Sequence, residues 1–136
     1  MNTAIFYPMA VLVGWTFVVL FMIPQLRFRA GRQRLVGPKD FAFGESEQVP
    51  GDVRIPNRNY MNLLELPVLF YVACITLYVV GKVDVWGVGL AWAFVGLRIA
   101  HSVVHLTYNH VFHRMRFFAA SVFVLIALWI RLVAAL

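Results

Sequence analysis

Four apolar runs alternate with polar punctuation along the chain, at residues 5–23, 60–80, 85–108 and 117–136. Each is long enough, at 1.5 Å per residue, to carry a helix across the ~30 Å hydrocarbon core of a bilayer. Residues 25–59 form the long polar stretch. It holds Arg27, Arg29, Arg32, Arg34, Lys39 and Arg54, and Gly31, Gly37, Pro38, Gly44, Pro50, Gly51 and Pro56 break it up. That punctuation predicts an irregular connection lying at the membrane surface. Short turns at 81–84 and 109–116 join the remaining runs. The pattern therefore predicts an all-α, integral-membrane four-helix bundle of up-down-up-down topology, a single domain over residues 1–136. The first run has no basic stretch before it and is followed by Pro24, Gln25 and arginines instead of small residues. It reads as a membrane span, not as a cleavable signal peptide.

Composition agrees. The chain is 62% hydrophobic and 13% charged, against about 25% charged for ordinary soluble domains. Its one cysteine, Cys74, excludes an intrachain disulfide and a multi-cysteine metal site. The net charge of +6 sits beside apolar runs and not in a tail, which argues for membrane topology over nucleic-acid binding. With four spans, the first and third connections share one side. They carry Arg27 to Arg58 and then Arg114 and Arg116, whereas the other side has Lys82 and, near the end of the last run, Arg131. The positive-inside rule puts the basic connections in the cytoplasm, with the termini opposite, in a bacterial inner membrane or the endoplasmic reticulum. Arg131 is expected to snorkel to the interface. Gly87, Gly89 and Gly96 are expected to let helices approach closely.

Two polar stripes interrupt the apolar background. Arg98, His101, His105 and Asn109 are spaced i, i+3, i+7, i+11, and Arg58, Asn62 and Glu65 are spaced i, i+4, i+7, with Pro67 following. Each set falls on one helical face. The topology brings both stripes to the basic end, together with Arg27 and Arg114. A Glu65–Arg98 pair is within reach, but one carboxylate cannot neutralise Arg27, Arg58, Arg98 and Arg114. Unpaired charge in hydrocarbon is expensive, so the surplus predicts a ligand carrying carboxylates or phosphate.

On these residues the chain resembles the MAPEG proteins, the membrane-associated proteins of eicosanoid and glutathione metabolism. The resemblance rests on the QLRFR ending the first span, on Arg58-Asn62-Glu65 followed by Pro67, on Arg98-x-x-His101, and on the later Arg114. It covers nearly the whole chain and implies a homotrimer binding glutathione as cosubstrate in a cytoplasm-facing cleft between subunits. By position it implies that Arg58, Asn62 and Glu65 contact the tripeptide, Glu65 through the amino group. Arg98 and His101 would line the pocket, as would His105, which stands where studied members carry a tyrosine. Arg27 of a neighbouring subunit would lie at the mouth, and Arg114 would stabilise the thiolate. Met115 stands where the prostaglandin synthase has a serine. The implied activity is a glutathione transferase or peroxidase acting on a lipophilic small molecule delivered through membrane lipid.

Two other readings remain open at this point. A non-enzymatic trimer, a scaffold or a lipid-headgroup binder, would use the same polar pocket. A metal site built on His101 and His105 with Glu65 fits the i, i+4 spacing, although membrane di-iron enzymes use about twice the four histidines present here.

Overall fold

The computed structural model describes residues 2–136. Four helices make up the molecule: α1 Phe6–Arg32, α2 Gly51–Val79, α3 Val85–Leu106 and α4 Val111–Ala135. Short 3-10 turns stand at Thr3–Ile5 and Pro38–Phe41, and there is no strand among the described residues. All four helices are long and apolar enough to cross a membrane, and the chain is a multi-pass integral membrane protein.

The helices pack as a rhombus. α2 and α3 touch along the middle, α1 lies against both from one side, and α4 lies against both from the other. α1 and α4 do not meet. At the centre Phe70 of α2 stacks on Phe94 of α3 with ring centroids 4.6 Å apart. Leu12, Val19, Leu63, Leu77, Leu128 and Leu132 belong to the same buried core as that pair.

Hydrocarbon gives no hydrophobic force between helices, so close packing and polar contacts must hold the bundle. One polar contact joins three helices. Trp15 Nε1 of α1 donates to Ser102 Oγ of α3 at 2.7 Å, and Ser102 Oγ donates to Asn59 Oδ1 of α2 at 2.9 Å. Asn59 Nδ2 returns a bond to the Ser102 carbonyl at 2.9 Å. Asn59 and Ser102 are wholly buried.

Three helices are longer than the apolar runs predict. The stretch 25–59, read as one irregular connection, is helical over 25–32 and again over 51–59, leaving 33–50 as the link. The 27 residues of α1 rise about 40 Å, some 10 Å more than the hydrocarbon core. Pro24 removes one ladder bond but does not end the helix, as membrane helices tolerate. Beyond it, Ala30 packs with Val49 and Val53, and with Val36 and Phe41, in a second small core under the link. That core gives the helical extensions a partner. Pro50, extended at φ −54°, ψ 145°, opens α2, and Asp52 in its first turn complements the helix dipole. α4 likewise begins at Val111 and not at residue 117, because the chain turns on Asn109.

One further expectation changes, and another gains a partner. Nothing lies within 4 Å of a Cβ built on Gly89 or Gly96, so neither marks a close helix approach within the subunit, while Gly87 sits against Asp84 Oδ1 and Leu77. Arg131, expected to snorkel to the interface, has a partner at the turn between α2 and α3. Its guanidinium grips Asp84 through both Nε, 3.0 Å from Oδ1, and Nη2. Asp84 also caps α3 by accepting from the Gly87 amide at 2.9 Å. The carboxylate thereby ties the end of α4 to the start of α3.

The Arg131 hydrogen bond, then the Gly87 amide, hold the Asp84 carboxyl below its ordinary value of 3.8. A value depressed by folding means that the stabilisation is complete above that ordinary range and is lost as pH falls through the folded value. At pH 7, Asp84→Asn is expected to melt a few degrees below the parent in detergent. The difference should shrink toward zero in melts run near pH 3.

Candidate functional site

The site is built at the basic end, where α3 stops and α4 begins. Asn109 ends α3 in the left-handed region at φ 46°, a conformation asparagine tolerates better than most residues. Its amide donates to the Val104 carbonyl at 2.8 Å, closing the helix. Its side chain then accepts from Arg114 Nη1 at 2.8 Å, so the residue that turns the chain also aims the first-turn arginine of α4.

Across this junction lies a cleft of about 530 Å³, within the ~300–1,000 Å³ range of small-molecule sites. α2 lines it with Asn57, Arg58, Met61 and Asn62, α3 with His101 and His105, and α4 with Val111, Arg114, Met115 and Phe118. The lining therefore combines cationic and polar side chains with the apolar Met61, Val111, Met115 and Phe118.

The two histidines are almost fully buried, at 4% and 3% exposure. His101 donates from Nδ1 to the Arg114 carbonyl at 2.9 Å, a bond to an acceptor that fixes the tautomer and leaves Nε2 free. That Nε2 and His105 Nδ1 are buried without partners. Arg98 lies just below the cleft, with no exposure at all. Its Nη2 donates to the Asn62 carbonyl at 2.6 Å and its guanidinium stands 5.5 Å from the Phe118 ring, while Nε and Nη1 have no partner. Asn62 in turn donates to the Arg58 carbonyl at 3.0 Å. Buried polar atoms left unbonded cost roughly 1–3 kcal/mol each, and more when charged. A cluster of them beside one cleft marks a place where bonds are to be made with something else.

Of the residues singled out in the sequence, Arg58, Asn62, His101, His105 and Arg114 meet in the cleft, with Arg98 beneath it. Glu65 does not join them. It is exposed on the outer face of α2 and forms no ion pair with Arg98, which bonds the Asn62 carbonyl through Nη2 alone. Arg27 is also elsewhere, bonded to Glu45 at 3.0 Å and over the Phe41 ring at 4.6 Å. Among the described residues, no three of the His, Cys, Asp and Glu side chains stand together as metal ligands. The apolar wall of Met61, Met115 and Phe118 was not read from the sequence, because one apolar residue among many carries no mark of its neighbours. Nor was the Trp15–Ser102–Asn59 contact. The helical spacing of Asn59 and Asn62 was its available signal.

Fold and site together define a class: a small helical membrane protein with a cation-rich ligand cleft at one membrane face. The chain belongs to the MAPEG family, whose model matches residues 5–134. That family includes glutathione transferases and related enzymes. No curated protein and no solved structure matches the chain.

The two roles of Asn109 separate by substitution. Asn109→Gly keeps the left-handed turn and removes the Arg114 anchor. Asn109→Ala loses both and is expected to cost a further ~1 kcal/mol or more for the strained backbone. Equilibrium unfolding in mixed micelles should therefore rank the parent and Gly variant above the Ala variant.

Proposed function

We propose that the chain is a glutathione-dependent transferase or peroxidase, activating the glutathione thiolate against a lipophilic electrophile. The observation that carries this reading is the set of buried, unpartnered nitrogens on Arg98, His101 and His105 beside the Arg58 and Arg114 guanidinium groups. Family membership agrees with it. Glutathione offers two carboxylates for those cations, one ammonium group and one thiol. The ammonium needs an acid, and Glu65 faces out of its own subunit. We therefore assign the complete site to a homotrimer in which Glu65 and the cleft of one subunit are closed by the next, which brings its Arg27 to the mouth. The basic connections then face the cytoplasm.

A free thiol near pKa 8.5 is only a few per cent thiolate at pH 7. A guanidinium beside the sulfur favours the charged form and lowers that value by about 1–3 units. Arg114 suits this task because Asn109 holds one of its nitrogens and leaves the others free to turn toward a ligand. The thiol proton passes to solvent. The sulfur then forms a bond to the electrophilic carbon as the leaving group departs with its electron pair. The electrophile arrives through the lipid and rests on the wall of Met61, Met115 and Phe118, so much of the rate comes from holding the two reactants together.

In the Arg114→Ala variant, thiolate ultraviolet absorbance on bound glutathione at pH 7 should fall about tenfold or more, with a smaller loss of affinity by calorimetry. Unchanged absorbance would remove Arg114 from the chemistry. Glu65→Gln should weaken glutathione binding at least about tenfold, the loss of one charged hydrogen bond, while mass photometry still finds the trimer. Normal affinity in that variant would place the ammonium elsewhere.

A further inference from the structure

Another cavity lies away from the cleft. It measures about 680 Å³ and sits between the basic end of α1 and the link at residues 36–38 and 41. Ile23, Phe28, Val36 and Phe41 give it apolar walls, and Arg27 and Arg32 supply charge. From Ile23 to Arg32 the helix rises about 14 Å. That span starts at the last residue of the apolar run and ends beyond the first arginines, so the cavity crosses the boundary between acyl chains and headgroups. Arg27 gives Nη2 to Glu45, but its Nε is buried with no partner. Arg32 is exposed and, among the described residues, makes no hydrogen bond or ion pair.

We propose that this cavity is a seat for one anionic phospholipid. The phosphate is held by Arg32 and Arg27 Nε, and an acyl chain lies along Ile23 and Phe28. Charge complementarity selects the occupant. A zwitterionic lipid leaves the second guanidinium unneutralised, and a free phosphate leaves the apolar walls wet. Glu45 already compensates one Arg27 nitrogen, so a singly charged headgroup balances what remains. Within one subunit the seat lies apart from the glutathione cleft but shares Arg27 with the mouth proposed for the neighbouring one, and its test reads lipid retention, which glutathione binding does not enter.

The test reconstitutes the full chain in equal parts phosphatidylglycerol and phosphatidylcholine with matched acyl chains, then counts retained lipid by native mass spectrometry. Phosphatidylglycerol should be enriched over phosphatidylcholine, and Arg32→Ala should lower that enrichment about fivefold. Gly31→Leu places its side chain in the open space of the cavity, where nothing lies within 4 Å of the new Cβ, and leucine favours the helix. This variant should fold, keep its oligomeric state and lose the enrichment. Arg116→Ala, which removes a charge at the third connection, should leave it unchanged. Equal losses in Arg32→Ala and Arg116→Ala would mean diffuse surface charge and overturn the seat. So would full enrichment in Gly31→Leu. An oligomer broken by Gly31→Leu would show that a second copy fills the cavity, which also overturns it.

Discussion

A guanidinium wholly shielded from solvent, with one bonded nitrogen and two unbonded, is the constraint around which the basic end of this protein is arranged. Arg98 sits at zero exposure with only the Asn62 carbonyl to satisfy it. An isolated charge in a low-dielectric interior is costly enough that structures pair it or give it a ligand. Its immediate neighbours do not pair it. The Phe118 ring face offers weak cation–π relief, and the two buried histidines bring no negative charge. Positive charge therefore gathers around the adjoining cleft, where Arg58 and Arg114 also stand.

That arrangement must be held rigid in a solvent that does nothing to press helices together. The polar contacts supply the rigidity at both ends of the bundle. Trp15, Ser102 and Asn59 lock α1, α3 and α2 near the cleft. Asp84 and Arg131 lock α3 to α4 at the far end. Between them, the Phe70–Phe94 stack fills the middle. α1 and α4 do not meet, so the outer surfaces of both are left to lipid or to other copies of the chain. The outward Glu65 on α2 is likewise exposed.

The membrane-face geometry also gives the link between α1 and α2 a physical role. It is not a loose loop. It folds onto the ends of both helices through Val49, Val53 and Ala30, and Asp40 stiffens it by accepting from the Gly37 amide and the Ser46 hydroxyl at 2.8 Å each. Those bonds, Gly37 first, hold the Asp40 carboxyl below its ordinary value. The amphipathic cavity beside Arg27 exists because this link is ordered.

Much of this was legible without coordinates, for one reason: hydrocarbon imposes strong rules. Apolar runs of spanning length, Arg and Lys on alternate connections, and helical spacing of Arg58-Asn62 and of Arg98-His101-His105 are local properties of a chain. They determined the class, the four spans, the family and the end of the bundle where the polar groups gather. What the tertiary structure decided is which of those groups share a space. Helix rotation sends Glu65 outward while Asn62, one turn away, turns in. Packing under the link extends α1 through Pro24. Arg131 meets Asp84 because two chain-distant helix ends coincide. Such outcomes depend on contacts between residues far apart in sequence, and no local periodicity encodes them.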